Sequence, residues 1–569
     1  MPSSSPDSTR PPLLNKKISI KIRSAFVVFA VLVVASIAAA QTIGSANTAA
    51  ADPPVRHPET TPCTVQLFSN LVFADFTPKT FQYTPTCAGP WSKVILVATF
   101  SVDAGRQFDR TANIWLGNTN IYFGTTAEPS HTVSRIWTIQ RDITDYSALL
   151  TTAQAGTIHL DNLVNTTYTS SLHGDAFLQF YPPGDDDRVP VTADQVLPLN
   201  SSPGTALLFT TTDQLTATFT LPTNIERAYL DVFSQSQSSD EFWYTCVPND
   251  VAAELFSCGN TAFRESEITI DGTPAGFAPV YPWIYTGGID PYLWRPIPGV
   301  QTLNFVPYRV DLTPFAASLN DGNPHTVAVS VFNADSYFSV SAALLVYQDH
   351  GSTHVTGGVI KNTLAAAPSP TVTENLVMVN GMPRGDVTVT SNRDSIVKGY
   401  VNTSHGKVVT NVEQTVNFTN RQHFLLTSTV YVQDIRQMTD ITATTSRIDS
   451  EGTHKSSVAQ HWPLTVDYSQ VTNPDGSFNV TTTINQSYQN ALNRSDNGNT
   501  RFWSVVSNTV SPMDTLEFDS SGNVTGNTGQ ANMQTYKTKD STGYCYSETL
   551  TAAGGVLTGV VKGQGCRGD

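Results

Sequence analysis

Charge is scarce in this chain: Asp, Glu, Lys and Arg together make up 14% of 569 residues. What charge there is runs acidic, 32 Lys and Arg against 47 Asp and Glu, for a formal net charge of -15. A nucleic-acid partner would need a basic footprint, so no nucleic acid is expected. Cysteine is sparse too. The six residues, Cys63, Cys87, Cys246, Cys258, Cys545 and Cys566, include no CxxC spacing, which removes a zinc ribbon or a dithiol redox pair. There is no HExxH, GxSxG, P-loop or kinase motif set. The GxGxxG match at Gly563–Gly568 ends just before the C-terminus, so no helix can follow it to receive a pyrophosphate. His350 and His354 are four apart, but Gly351 argues against a helix, and a solvated loop is expected there. Neither a metal nor a cofactor is called for. Long amphipathic helices and strong internal repeats are also missing.

What is present points to strands. The chain carries 36 Gly and 34 Pro with abundant Thr, Ser, Val and Asn, the composition of short strands joined by turns. An all-β protein is expected, and 40% apolar residues suffice for sizeable cores in two to four domains. Lys16, Lys17, Lys21 and Arg23 precede the uncharged run Ser24–Ala40. That pattern reads as a signal peptide cleaved near Ala40 or as a single N-terminal membrane anchor, and either exports the rest of the chain. The expected location is secreted, or membrane-anchored with the other domains lumenal or extracellular. The cysteines fall into three local pairs, so Cys63–Cys87, Cys246–Cys258 and Cys545–Cys566 are the simplest disulfides. Sequons occur at Asn165, Asn200, Asn402, Asn417, Asn479, Asn485, Asn493 and Asn523, mostly after residue 400, which predicts a glycan-covered C-terminal surface.

Punctuation divides the chain. Residues 1–60 read as the targeting segment and a polar linker, and 61–182 as a first β domain. Pro182–Pro190, "PPGDDDRVP", is a linker to a second domain over 191–350. The Pro- and Ala-rich Leu364–Thr373 reads as the joint to a β-rich, glycosylated region over 374–569. β-Sandwiches fit this spacing.

Two stretches concentrate unusual chemistry. "GRQFDRTANIWL", Gly105–Leu116, places Arg106, Asp109 and Arg110 beside the apolar run "KVILVATFSV". They are either a solvated strand end or the polar heart of an active site. The second constellation is "SDEFWYTC", then "FRESEITIDG", then "YPWIYTGGIDPYLWRPIPG", which sets Trp283, Tyr285, Tyr292 and Trp294 among prolines. Long ordered loops of this kind are usually functional. Aromatic rings offer flat faces to sugars, while carboxylates and Arg bind hydroxyls; the same loop could equally just cover a core.

The segments "GRQFDR…WLG", "TAEP", "W…RDIT.Y..LL", "DEFWY", "FRE", "TGGI.P.LWRPI" and "LTPF", colinear from about Cys63 to Asp349, closely resemble the peptide-N-glycanase A family. A fainter resemblance runs to the bacterial enzyme PNGase F, which implies two adjacent eight-stranded jelly rolls with the active site in the cleft between them. The family resemblance implies an amidase acting on N-glycopeptides or N-glycoproteins, cutting between the first GlcNAc and Asn, with no metal or cofactor. It implies Asp109 as the principal catalytic group and Arg110 as its partner. Glu241, beside Trp243, is the second carboxylate, with Asp240 or Glu265 as alternatives. Asp161 or Asn162 falls where the bacterial enzyme has a further acid. Glu128 belongs to a matched motif without a derived role. Arg106, Arg295, Trp115, Trp243, Trp283 and Trp294 are candidates for holding the sugar, although each Trp alone is more often core. Two other readings stay open: a non-catalytic glycan-binding module, and a glycoside hydrolase, which would suit carboxylates and aromatics equally well.

Overall fold

A computed structural model describes residues 41–185 and 188–566. The apolar run Ser24–Ala40 and the terminal Arg567–Asp569 lie outside the described residues. Among those described, no helix is long and apolar enough to cross a membrane, and no cluster of His, Cys, Asp and Glu is placed to hold a metal.

The first domain has eight strands: β1 (Cys63–Phe73), β2 (Lys79–Tyr83), β3 (Lys93–Val102), β4 (Thr111–Leu116), β5 (Thr119–Thr125), β6 (Arg135–Asp142), β7 (Gln154–Leu160) and β8 (Leu172–Tyr181). They form two antiparallel sheets ordered β1-β8-β3-β6 and β2-β7-β4-β5, the interleaving of a jelly roll. β3 is an unbroken apolar run because both of its faces are covered. Val94, Leu96, Ala98 and Phe100 enter the inter-sheet core. Ile95 and Val97 face outward but pack with Phe177, Tyr181 and Val55 of the N-terminal segment.

The second domain repeats the plan with β9 (Gln195–Pro198), β10 (Ala206–Leu208), β11 (Leu215–Thr220), β12 (Ile225–Gln237), β13 (Glu265–Ile270), β14 (Thr273–Pro279), β15 (Tyr308–Asp311), β16 (Pro324–Phe332) and β17 (Tyr337–Gln348). Its sheets run β10-β17-β12-β15, with β9 also on β17, and β11-β16-β13-β14. The two jelly rolls lie side by side. Ala343, Leu345 and Tyr347 on β17 share one buried cluster with the first domain's core. Asp231 binds this interface by accepting from Tyr146 Oη at 3.0 Å and pairing with Arg309, which also reaches Asp145.

From Thr356 to Lys562 the chain forms one twelve-stranded antiparallel sheet with strands of up to 22 residues. Its start differs from the expected 374. Thr356–Asn362 and Thr371–Val379 both pair with Met382–Thr403, so the Pro-rich joint is a connection within the sheet. One face packs on the second jelly roll: Val416, Phe418, Ile435, Trp462, Leu464 and Ile484 merge with that domain's core. The opposite face is solvated, so burial alternates from residue to residue over Gln414–Phe424.

All three disulfides form as the local pairing predicts. Asn402, Asn417, Asn479, Asn485, Asn493 and Asn523 are exposed on the C-terminal sheet, and Asn165 on the first jelly roll. Asn200 departs from the expectation. It is buried, and its Nδ2 donates to Gly204 O and Val340 O, so no glycan can be attached in this fold.

Candidate active site

The stretch before β4 is held by its own polar residues. Gly105 sits at φ 142°, where a Cβ would lie 2.5 Å from Thr169 Oγ1, so glycine is required. Gln107 is buried, donates to Leu163 O and Ser170 O, and accepts from Arg110 Nη2 at 2.6 Å. Arg110 N donates to Thr126 Oγ1, and Thr126 N to Arg110 O. These bonds fix Asp109 at the seam between the jelly rolls.

The Pro-aromatic loop closes over it from the second domain. Backbone N–H groups of Gly287 and Thr286 donate to the Asp109 carboxylate. The approach is so close that a Cβ on Gly287 would lie 2.6 Å from both Asp109 Oδ1 and Glu128 Oε2. Thr286 Oγ1 donates to Thr126 O at 2.7 Å and Tyr285 Oη to Ser236 O at 2.6 Å. Glu128 accepts from the Asp109 backbone N–H and faces Arg295 at 3.6 Å. Glu241 lies on the turn that follows β12, where Glu241 N donates to Ser238 O.

Asp109, Glu241, Arg110, Asp161, His159 and Tyr285 line one cleft of about 390 Å³, completed by Gln237 and Tyr337. Burial is the leading cause of its electrostatics. It raises Asp109 to about 6 against the opposing help of Gly287 and Arg110. It raises Glu241 to about 7, with the Asp109 charge adding to the effect, and Glu128 to about 8. Burial also pushes Asp161 up and His159 down. Carboxyls whose ionisation is spread across the neutral range can divide into an acid and a base. Arg110, anchored by Nη2 on Gln107 Oε1, lines the same cleft and brings a positive charge beside the acids.

The remaining sequence candidates sort by position. Arg106 is exposed and lies over the Tyr168 ring rather than in the cleft. Arg295 supports Glu128 and donates to Pro129 O. Asn162 is fully buried, with Nδ2 on Phe73 O and Ser170 O, so it is structural and Asp161 is the cleft residue. Asp240 is locked to Arg264 at 2.8 Å and accepts from Asp335 N and Ser336 N. Glu265 pairs with Arg393 of the C-terminal sheet at 2.9 Å. Neither can serve in place of Glu241. The four tryptophans are core, not sugar platforms. Trp115 is wholly buried against Asn113, Trp243 packs near Phe418, Trp283 lies tilted against Phe305, and Trp294 donates to Gly288 O.

Gly287, Thr286, His159 and Gln237 are not singled out by sequence, and Tyr285 only as one aromatic of the Pro-aromatic loop. "TGGI" stood within a matched motif, yet the work of Thr286 and Gly287 is done by backbone amides, which side-chain chemistry does not announce.

The family described as Peptide N-acetyl-beta-D-glucosaminyl asparaginase amidase A matches residues 52–365. A protein of Prunus dulcis, "Peptide-N4-(N-acetyl-beta-glucosaminyl)asparagine amidase A", is 31% identical over 396 residues, covering 64% of this chain and 67% of its own. Among solved structures, PNGF-II is 12% identical with a TM-score of 0.35, covering 51% of this chain and 66% of that one. The STIV MCP is 11% identical with a TM-score of 0.25, covering 50% of this chain and 96% of that one. The matched segment spans both jelly rolls and every residue of the cleft, and the chain belongs to the peptide N-acetyl-beta-D-glucosaminyl asparaginase amidase A family.

Proposed function

We propose that the cleft hydrolyses the amide between the first GlcNAc of an N-glycan and the Asn side chain of a glycopeptide or glycoprotein. Water adds to the side-chain carbonyl carbon, the C–N bond breaks, and Asn becomes Asp. The glycan leaves whole as a glycosylamine, which then exchanges its amine for water and frees ammonia. An amide nitrogen leaves poorly unless protonated, and water attacks poorly unless a base takes its proton. Asp109 ionises first and acts on the water; Glu241 stays protonated longer and delivers a proton to the departing nitrogen. The Arg110 guanidinium, which lines the cleft, offsets the developing oxyanion with its positive charge. Glu128, neutral through most of this range, holds the Asp109 backbone and Arg295 in place.

The observation that carries this reading is the pair Asp109 and Glu241, raised to about 6 and 7 within one cleft of a family member. Three disulfides and seven exposed sequons support an exported chain. The test is product identity. A defined N-glycopeptide incubated with the protein at mildly acidic pH should yield an Asp-containing peptide and an intact glycan by mass spectrometry. A cut between two sugars would indicate a glycosidase, and bound but unchanged glycopeptide a binding module; either result contradicts the amidase.

A further inference from the structure

The loop between β14 and β15, residues 280–307, delivers Thr286, Gly287 and Arg295 to the acids. Its other side is gripped by a row of amide side chains from the C-terminal sheet. On the strand Phe478–Asp496, fully buried Gln486 donates from Nε2 to Pro282 O at 2.7 Å and accepts from Val300 N at 3.0 Å. On the strand Val524–Asp540, Asn532 donates both Nδ2 hydrogens, to Leu293 O at 2.8 Å and Ile297 O at 2.9 Å. Gln530 donates to Tyr292 O at 3.1 Å and Arg295 O at 2.9 Å, while its Oε1 accepts from Gly555 N. Tyr281 Oη adds a bond to Ser487 O. The loop's backbone carbonyls, which no regular strand would satisfy, are thus met from outside both jelly rolls.

From this geometry we infer that Gln486, Gln530 and Asn532 are positioning residues for the amidase reaction. They set the register of the 280–307 loop, and so the approach of the Gly287 and Thr286 amides to Asp109 and of Arg295 to Glu128. The inference rests on the amidase reading of the cleft. It assigns a positioning role in the reaction to two strands, Phe478–Asp496 and Val524–Asp540, that lie past the end of the family match at residue 365. Amides suit the task because they donate to carbonyls without bringing a charge near the buried acids. Leaving a buried carbonyl unpaired is costly, so each bond resists displacement of the loop.

The test uses the full chain and compares wild type with Gln486→Met, Gln530→Met and Asn532→Leu, which keep shape and remove the bonds. Thr483→Ala, on the solvated face of the same strand as Gln486, is the control. Steady-state kinetics on a defined N-glycopeptide should show kcat reduced by about tenfold to a hundredfold with KM changed far less. The limb of the pH–rate profile governed by Asp109 should move to higher pH, because withdrawal of the Gly287 amide removes a bond that favours its ionised form. A purely structural role would scale the rate with the folded fraction and leave the limb in place. Gln530, only partly buried, keeps the test open if a core variant fails to fold. Wild-type kcat and an unmoved limb in folded Gln530→Met and Gln486→Met would overturn the inference. An inactive wild type would instead overturn the amidase reading itself.

Discussion

Asp109 shows how a carboxyl can be both buried and useful. Loss of water raises its pKa, while the Gly287 and Thr286 amides and Arg110 pull it back, leaving it near 6. Glu241 has no such help and stays near 7. With Asp109 as base and Glu241 as acid, activity rises as pH passes through about 6 and falls through about 7, giving a bell measurable as kcat/KM against pH. Glu241→Gln keeps the shape and removes the proton; kcat should fall by about 10² to 10⁴ and the alkaline limb should lose its governing group. At this scale sequence was informative for charged side chains: Asp109, Arg110 and Glu241 stood out against a chain poor in charge, and the fold gathers all three in one cleft. It misled for Asp240, Glu265 and the tryptophans, because residue type does not report burial. Asp240 and Glu265 have arginine partners more than twenty residues away in sequence, Arg264 and Arg393.

Among the elements, β3 was visible as an apolar run, and the Pro-aromatic loop as a composition without a regular period. Their pairing was not. The jelly-roll order depends on which strands hydrogen-bond, and each sheet joins strands far apart in sequence, such as β1 with β8. The family resemblance supplied that order; periodicity could not. The tryptophans are cement rather than a sugar platform, which gives a clear expectation. Trp243→Ala should cost about 3–5 kcal/mol of stability in denaturant unfolding, the cost of a large core truncation. Trp243→Phe, a smaller change, should leave KM for glycopeptide near the wild-type value. A rise in KM with unchanged stability would return Trp243 to the binding surface.

At the level of the whole molecule, three layers stack: the first jelly roll, the second, and the long C-terminal sheet, whose buried face continues the second domain's core. Several acids are trapped in these seams. Burial raises Asp109, Glu241, Asp514 and Glu128 to about 6, 7, 7 and 8. The folded chain therefore holds more protons than the unfolded chain once pH exceeds the ordinary carboxylate range. Their favourable contribution is complete below that range and fades as pH rises through about 6 to 8, so Tm should be higher near pH 5 than near pH 8. A thermal melt series that rises with pH over this interval would contradict the assignment of these acids as buried and neutral. Glycopeptide mapping checks the surface: modification should be confined to the exposed sequons, and Asn200 should be bare.

The central claim, that Asp109 activates a water which attacks the Asn side-chain carbonyl, is tested most directly in water enriched in heavy oxygen. Wild type and Asp109→Asn would be incubated with one defined N-glycopeptide, and the peptide and glycan weighed. Wild type should place one heavy oxygen in the new Asp of the peptide, and Asp109→Asn should leave the glycopeptide unchanged on the same timescale. Heavy oxygen first entering a sugar with Asn retained, or equal turnover by the two proteins, would contradict that claim.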